Sequence, residues 1–266
     1  MKYALLAVAA LVVLSSTAMA DPIDPAFIKW SQQPLMTSNG YDFSSETLVP
    51  SLVADDFLCN DPRAITDIHW WGSYYAAAPV FDPNSNYRGD PSFAGPGAPP
   101  VMPNVIAGFT FTFYTDVPAG QDPLMPYSHP GKPICTSFVN TNLVATNLHG
   151  TIDRNNNGIV GDDGDEAVWQ YTALLPVPFE QIPGTIYWLS IQAVNNFQQA
   201  VQWGWHESAE HWNDTAVQQG PWYPPTLEWN NLEVKDMAFE LSVPEPATMA
   251  LLGCGLAIMG MARRRK

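Results

Sequence analysis

The sequence predicts an all-β protein, a jelly-roll-like antiparallel β-sandwich flanked by an N-terminal signal peptide and a C-terminal hydrophobic helix. In the segment AGFTFTFYTD, Phe109, Phe111 and Phe113 alternate with Thr and Tyr, which is the period of a strand with one buried face. Between the two ends, no segment repeats apolar residues every three to four positions over helical length. Long Pro-rich connections between the strand signals favour a two-sheet sandwich over a tight barrel.

Nine segments carry strand signals bounded by Pro, Gly or Asn. They are 48–57, 64–75, 105–114, 134–139, 142–148, 167–174, 185–194, 200–206 and 234–243. In TIYWLSIQAV, the set Tyr187, Leu189, Ile191 and Ala193 is the cleaner inward face. The stretch 79–103 is too rich in Pro and Gly for regular pairing, so we expect a long surface loop there. The predicted sandwich domain spans residues 21–242.

The N-terminal end has the features of a secretory signal peptide. Lys2 supplies positive charge, residues 4–14 are apolar, and Ala18-Met19-Ala20 is a small-x-small cleavage site. The apolar part is too short for a spanning helix, which needs about 20 residues. We therefore expect residues 1–20 to be removed on export, leaving a chain that begins near Asp21.

The C-terminal end combines a Pro-Glu-Pro segment, an uncharged and mostly apolar run over 247–262, and a terminal cluster of cations. Because Lys and Arg are retained on the cytoplasmic side, the run predicts an inner-membrane segment with the body outside. This arrangement resembles the PEP-CTERM sorting signal of bacterial proteins over residues 243–266. Its characteristic residues are Pro244, Glu245, Pro246, Arg263, Arg264 and Arg265.

The resemblance implies a partner and a destination. In that family exosortase, a membrane transpeptidase, is thought to recognise the Pro-Glu-Pro segment and release the body, often into an exopolysaccharide-rich envelope or biofilm matrix. Membrane anchoring through the helix would then be transient. Body segments such as LVADDFLCNDPRAITDIHWWGSY and WGWHES are similar to a poorly characterised domain that recurs in PEP-CTERM proteins, and that domain has no established activity.

The body between the two signals is strongly acidic. Its six basic and 25 acidic residues give residues 21–243 a formal charge of −19. The basic residues are scattered, whereas a phosphate backbone requires a clustered basic surface. The composition therefore excludes a nucleic-acid binder and favours solubility and divalent cations.

Two cysteines lie in the body, Cys59 and Cys135, because Cys254 falls in the apolar tail. In an oxidising exterior the two are predicted to form a disulfide. Two buried free thiols are the alternative.

The segment DRNNNGIVGDDGDE predicts a calcium loop. Asp, Asn and Asn occupy positions one, three and five, Gly158 permits the turn at six, and a main-chain carbonyl is available at seven. Position twelve is Gly164 instead of the bidentate carboxylate of an EF-hand, so the resemblance is partial. The predicted Ca²⁺ ligands are Asp153, Asn155, Asn157, Ile159, Asp162, Asp163 and Asp165. The alternative is a solvated Asn-Gly and Asp-Gly turn between two strands.

The segment HESAEH contains two histidines and invites comparison with zinc motifs. A zincin needs His, Glu and His at i, i+1 and i+4, whereas His206 and His211 are five residues apart. The segment is therefore interpreted as a polar loop flanked by packing tryptophans.

Aromatic clusters on a secreted sandwich suggest glycan binding, because sugar rings stack on exposed indoles. The candidate residues are Trp71, Trp203, Trp205 and Trp222. Adjacent strand residues point to opposite faces, so one of Trp70 and Trp71 is expected in the core. Core packing is the alternative for at least half of these rings.

Motifs for catalysis are missing from the sequence, which has no nucleophile elbow, phosphate-binding loop or dinucleotide fingerprint. The prediction is an exported, non-enzymatic surface or exopolysaccharide-matrix protein with a structural or glycan-associating role. A lectin-like carbohydrate-binding module is the alternative, followed by a glycoside hydrolase whose two carboxyl groups face each other across a cleft.

Overall fold

The computed structural model describes residues 25–76, 89–162, 164–196, 201–225 and 228–243. Within these ranges the chain forms 13 strands and two short 3-10 turns, Pro25–Phe27 and Thr141–Leu143. The strands are β1 Ile28–Gln32, β2 Asp42–Ser44, β3 Leu52–Leu58, β4 Ile65–Ala76, β5 Ile106–Val117, β6 His129–Asn140, β7 Val144–Ile152, β8 Glu166–Phe179, β9 Ile186–Asn195, β10 Val201–His206, β11 Val217–Gln219, β12 Asn230–Asn231 and β13 Phe239–Ser242.

The first sheet is organised around β4, which is long enough to pair with two strands on the same side. β8 runs along one side of β4 and carries β7 as its outer neighbour. On the other side, β10 pairs with the end of β4 and β13 with its beginning. Strands β2 and β1 complete these two branches, and all pairs are antiparallel.

The second sheet has the strand order β12-β11-β3-β9-β5-β6, again antiparallel throughout. Most connections, including β3 to β4 and β9 to β10, pass from one sheet to the other, whereas β5 to β6 and β7 to β8 stay within a sheet. The all-β prediction with two antiparallel sheets is therefore confirmed. The jelly-roll topology remains a prediction.

Aromatic side chains from both sheets fill the space between them. Phe109, Phe111 and Phe113 of β5 are at most 1% exposed, as their alternation predicts. From the first sheet, Trp70 contacts Phe109 and Phe111 edge to face, with ring centroids 4.8 and 5.0 Å away. The inward set predicted for β9, from Tyr187 to Ala193, is also buried.

The outer face of the first sheet is also buried in the region around Trp71. Trp71 points away from Trp70 and packs with Ile152, Val168 and Ala238, with Met36 from the segment 33–41 against it. Gly72 is required in this strand because a Cβ there would collide with the carbonyl oxygen of Gly204 and the ring of Trp203. Because the segment 33–41 packs over Trp71, polar residues nearby on this outer face lie between the sheet and that segment.

The predicted disulfide is wrong in this fold, where Cys59 and Cys135 are both free thiols. Cys59 follows the end of β3 and Cys135 lies on β6. In the sheet these two strands are separated by β9 and β5, which is about 14 Å at 4.7–4.9 Å per strand. A disulfide requires Cα atoms within about 7 Å.

Several predictions lie outside the described residues. They concern the signal peptide over 1–20, the C-terminal helix, part of the loop 79–103, and the sorting-signal residues Pro244, Glu245, Pro246, Arg263, Arg264 and Arg265. Among the residues that are described, no helix is long and apolar enough to cross a membrane.

Candidate functional site

Three ionisable side chains from three strands converge on the outer face of the first sheet. Asp42 lies on β2, Glu166 begins β8, and His206 ends β10. The Nδ1 atom of His206 is 3.0 Å from Asp42 Oδ1 and 3.2 Å from Glu166 Oε1. In the described part of the chain, these three form the one group of His, Cys, Asp or Glu side chains close enough to share a metal ion.

Strand pairing explains this convergence. His206 and Asp42 are register partners in the β10–β2 pair, so their side chains share a face. Glu166 is brought to the same face by β8, and its Oε1 accepts a hydrogen bond from Ser73 of β4 at 2.9 Å. Because Trp203 and Trp205 occupy the inward positions of β10, the next residue that faces the same way as Gly204 is His206.

The segment 33–41 covers the cluster and fixes the imidazole. His206 Nε2 lies 3.1 Å from the main-chain oxygen of Leu35, which can only accept, so Nε2 carries a hydrogen and donates it. Gly40 packs against the ring, and a Cβ there would lie 3.2 Å from Nε2 and collide with the Leu35 oxygen. The orientation of His206 is therefore set by main-chain groups.

Arg154 links the cluster to the predicted calcium loop. Its guanidinium donates to Glu166 Oε2 and to the main-chain oxygens of Gly40 and Ser38, the last at 3.1 Å. The loop and the segment 33–41 are thereby held together over the sheet by one side chain.

The charges of the cluster shift the pKa values of its members in opposite directions. Burial raises the pKa of Asp42 to about 7, and the Glu166 carboxylate adds to the rise. Burial also opposes ionisation of Glu166, but hydrogen bonds with His206 and Asp42 and the charges of His206 and Arg154 lower its pKa to about 2. Burial alone would lower the pKa of His206; the two carboxyl groups outweigh it and raise the pKa to about 10. Without a metal, the two carboxyl groups therefore favour the imidazolium form of His206.

A cavity of about 310 Å³ adjoins the cluster. Asp42 and Glu166 form part of its wall, together with Ser73, Asp90 and Gln202. The cavity thus gives small polar molecules access to the carboxyl groups of the cluster.

The predicted calcium loop closes on itself through hydrogen bonds. The side-chain amides of Asn155 and Asn157 donate to the two carboxylate oxygens of Asp162, at 2.8 and 2.5 Å. Asp153 accepts from the main-chain N–H of Asn157 and of Gly158. These four predicted ligands therefore lie together at the mouth of the loop.

The other predicted ligands stand apart or lie outside the description. Asp165 is buried beneath the loop, where it accepts main-chain N–H groups of Arg154, Gly161 and Asp162. The side chain of Ile159 is exposed, and Asp163 is outside the described residues.

Three of the four predicted glycan-binding tryptophans are buried, so that prediction is wrong for them. Trp203 and Trp205 are at most 1% exposed in the inter-sheet core, and their indole N–H groups donate to Tyr171 Oη and to the oxygen of Ala238. Trp71 is 1% exposed because loops cover the outer face of the first sheet. A buried indole cannot stack on a sugar ring.

Trp222 differs from them, since it is 50% exposed. It lies next to Tyr223, at a ring-centroid distance of 6.0 Å, beside an open groove of about 590 Å³. The groove is lined by Gln219, Gly220, Pro221, Tyr223, Pro224, Pro225, Glu228 and Asn230.

Two pairs of carboxyl groups that lie close together in the sequence, Asp55 with Asp56 and Glu207 with Glu210, are the candidates for glycoside hydrolysis, and neither pair is arranged across a cleft. Asp55 and Asp56 are neighbours on β3, both buried, and point to opposite faces of the sheet. Glu207 is buried and pairs with Lys235, whereas Glu210 is exposed. His211 contacts Asp236 and not His206, which agrees with the mismatch of HESAEH to a zincin.

Comparison with known proteins gives a family for the body and for the tail. The model of the family described as Domain of unknown function (DUF7901) matches residues 28–242, which include every strand of both sheets. The chain belongs to the DUF7901 family. The model of the PEP-CTERM protein-sorting motif matches residues 242–266. No curated protein and no solved structure matches the chain.

These matches establish the destination of this DUF7901 protein. The PEP-CTERM motif is the signal that exosortase recognises, so the chain is an exported protein destined for the cell surface or the extracellular space. The resemblance of the tail and of the body to PEP-CTERM proteins is confirmed.

The main polar site of the DUF7901 domain was not found by sequence reasoning. Asp42 and His206 are 164 residues apart in the chain, so no local motif contains them both. The alternation in WGWHES could have indicated part of this site, because it places His206 on the strand face that points away from the buried indoles. The sequence did not show that this second face is covered.

Proposed function

We propose that this protein is a non-enzymatic component of the bacterial surface or exopolysaccharide matrix that associates with a neutral glycan through the groove beside Trp222 and Tyr223. The observation that carries the proposal is the half-exposed indole of Trp222 next to a polar groove. An exposed tryptophan offers a broad apolar face to the C–H groups of a sugar ring, and its polar edge suits a wet interface.

Polar groups of the groove are suited to sugar hydroxyls. Gln219, Glu228 and Asn230 line it with amide and carboxylate groups that donate or accept hydrogen bonds. Tyr223 is oriented by its hydroxyl, which donates to Gln218 Oε1 at 3.0 Å. Aromatic side chains have few rotatable bonds, so an aromatic pair with adjacent amides binds polar ligands at low cost in side-chain entropy.

Net charge decides which kind of glycan is proposed. The body carries a formal charge of −19, so it repels polyanionic chains at low ionic strength. A neutral polysaccharide meets no such repulsion. The six basic residues of the body are too few to offset this charge, and none of them lines the groove.

A glycan array probed with the body, residues 21–243, tests the proposal; both sheets and their core lie within this range. We expect binding to a subset of neutral glycans. Trp222→Ala should weaken binding at least tenfold. Tyr75→Ala is the matched control, because Tyr75 is 43% exposed but lies on β4 beside the other cavity. An array without any bound neutral glycan, or loss of binding only in Tyr75→Ala, would overturn the proposal.

We also propose that the loop 153–165 binds Ca²⁺. Asp153, Asn155, Asn157 and Asp162 are joined by hydrogen bonds, and a Ca²⁺ ion bound among them would replace the amide donors that now contact the Asp162 carboxylate. Oxygen-only ligands are those that Ca²⁺ prefers.

Transient anchoring completes the proposed route. The apolar run 247–262 would hold the chain in the inner membrane until exosortase cleaves near Pro244-Glu245-Pro246. Replacing the Pro-Glu-Pro segment should leave the protein in the membrane fraction with its C-terminal residues 247–266 still attached, as judged by mass spectrometry. Release of the same variant in processed form would contradict this route.

A further inference from the structure

We propose that Asp42, Glu166 and His206 bind a divalent transition-metal ion, with Zn²⁺ as the best match to the ligand set. The proposal goes beyond the glycan association above and does not rest on it, because the two sites lie on different sheets.

The first argument is the number of electron-pair donors that meet at one point. Leu35 takes the hydrogen of His206 Nε2, so in the neutral imidazole the Nδ1 atom presents a lone pair. That lone pair faces Asp42 Oδ1 and Glu166 Oε1, at 3.0 and 3.2 Å. Three donors at this spacing repel one another unless positive charge lies between them. In the metal-free protein protons supply this charge, and one divalent cation can replace them.

The second argument is the support behind each ligand. Metal-bound histidines usually donate their other ring N–H to a carbonyl or carboxylate, as His206 does to Leu35. Glu166 is held by Ser73 on Oε1 and by Arg154 on Oε2. Two of the three ligands therefore need no rearrangement of the surrounding structure to keep their orientation.

The third argument is access. The side chain of His206 is fully buried and that of Glu166 is 9% exposed, but the carboxyl groups of Asp42 and Glu166 border the cavity of about 310 Å³. Three protein ligands beside a cavity leave a fourth position for water or another oxygen ligand, the arrangement of open zinc sites. Arg154 offsets one of the two carboxylate charges, which lowers the attraction for a doubly charged ion without removing it.

The ligand set decides the metal. Imidazole suits Zn²⁺ and other transition metals, whereas Ca²⁺ and Mg²⁺ prefer oxygen alone. No thiol contributes, since Cys59 and Cys135 lie on the other sheet. The loop 153–165 adjoins the cluster through Arg154, but its predicted ligands are oxygen atoms only, so it differs from the cluster in chemistry.

Isothermal titration of the tag-free, chelator-treated body with ZnCl₂ tests the proposal. We expect one Zn²⁺ per molecule, and Asp42→Asn, which keeps the size of the side chain, should lower the affinity at least tenfold. Near-UV circular dichroism checks that the variant is folded. The matched control is His211→Gln: His211 faces a single carboxylate, Asp236, at 3.0 Å, so its loss should leave Zn²⁺ binding unchanged.

X-ray absorption at the zinc edge gives a measurement that needs no variant. It should show only nitrogen and oxygen neighbours, at about 2.0–2.2 Å. Failure of the wild-type body to bind Zn²⁺, a sulfur neighbour, or binding that is lost in His211→Gln and kept in Asp42→Asn would each overturn the proposal.

Discussion

Trp70 and Tyr171 are register partners on β4 and β8, and their rings stack with centroids 5.4 Å apart and planes inclined by 15°. Phe109 and Phe111 of the opposite sheet meet the same indole edge to face. Trp70 therefore connects the two sheets at the centre of the core.

Truncation of this central ring should be costly. Trp70→Ala should lower the free energy of unfolding by about 3–5 kcal/mol, since it removes a fully buried aromatic and leaves a cavity. Trp70→Phe should cost less, because the indole N–H has no hydrogen-bond partner among the described residues and its removal relieves a buried unpaired donor. Urea denaturation measures both. Trp222→Ala is the control and should change stability by no more than about 0.5 kcal/mol; equal losses at the two positions would contradict this picture of the core.

Asp56 should make the stability of the body depend on pH. Burial raises the pKa of Asp56 to about 8, nearby carboxylates add to the rise, and in the described part of the chain its Oδ1 atom has no hydrogen-bond partner. A carboxyl whose pKa is raised by folding stabilises the fold fully below its unfolded pKa, near 3.8, and loses this contribution as pH rises through 8. The melting temperature of the wild-type body should therefore fall between pH 5 and pH 9.

The variant Asp56→Asn isolates this contribution. Its amide can keep the hydrogen bond from Asn213 on one atom and present an N–H group to the neighbouring carboxylates on the other. We expect a melting temperature several degrees above wild type at pH 9 and close to it at pH 5. Glu210→Gln removes an exposed charge and serves as the control. A variant that melts below wild type at pH 9 would show that Asp56 is not a source of the pH dependence.

The two body cysteines should behave as thiols of unequal reactivity. Burial raises the pKa of Cys59 to about 11, and the residue is 1% exposed, so it should react with a thiol reagent only after unfolding. Cys135 is partly exposed and should react in the native protein. Ellman's reagent should thus detect one thiol in native body and two in denaturant. If no thiol were detected in denaturant, the result would show that Cys59 and Cys135 form a disulfide after all.

Calcium should raise the melting temperature of the body if the loop 153–165 binds it, by RT ln(1 + [L]/Kd) in free energy. Asp162→Asn should abolish the rise, because both predicted amide ligands contact this carboxylate. Asp153→Ala should also abolish it, but that variant removes acceptors for two main-chain N–H groups as well. Mg²⁺ at the same concentration is the control. An equal melting temperature in Ca²⁺ and in chelator would remove the assignment.

Sequence periodicity predicted the long strands well. Each of the nine predicted segments corresponds to an observed strand, because apolar and β-branched runs bounded by Pro, Gly or Asn are a clear strand signal. The four strands that were not predicted are β1, with five residues, and β2, β11 and β12, with two or three, which are too short to show a period and pair with the edges of longer neighbours.

Burial of both faces explains most of what the sequence could not predict at the site. Alternation distinguishes two faces of a strand, but it does not reveal that segment 33–41 covers the second face. The sequence therefore predicts an exposed ring at Trp71 and a polar loop at His206. The oxidising compartment alone predicts a disulfide between Cys59 and Cys135, whereas the order of strands in the sheet keeps the two residues apart.

The pairing of β1 with β13 places Ile28 opposite Ser242. The start of the first strand and the end of the last strand therefore lie next to each other at one corner of the body. An epitope tag fused ahead of Pro25 would therefore lie on the same side of the body as Ser242, where the match to the sorting motif begins.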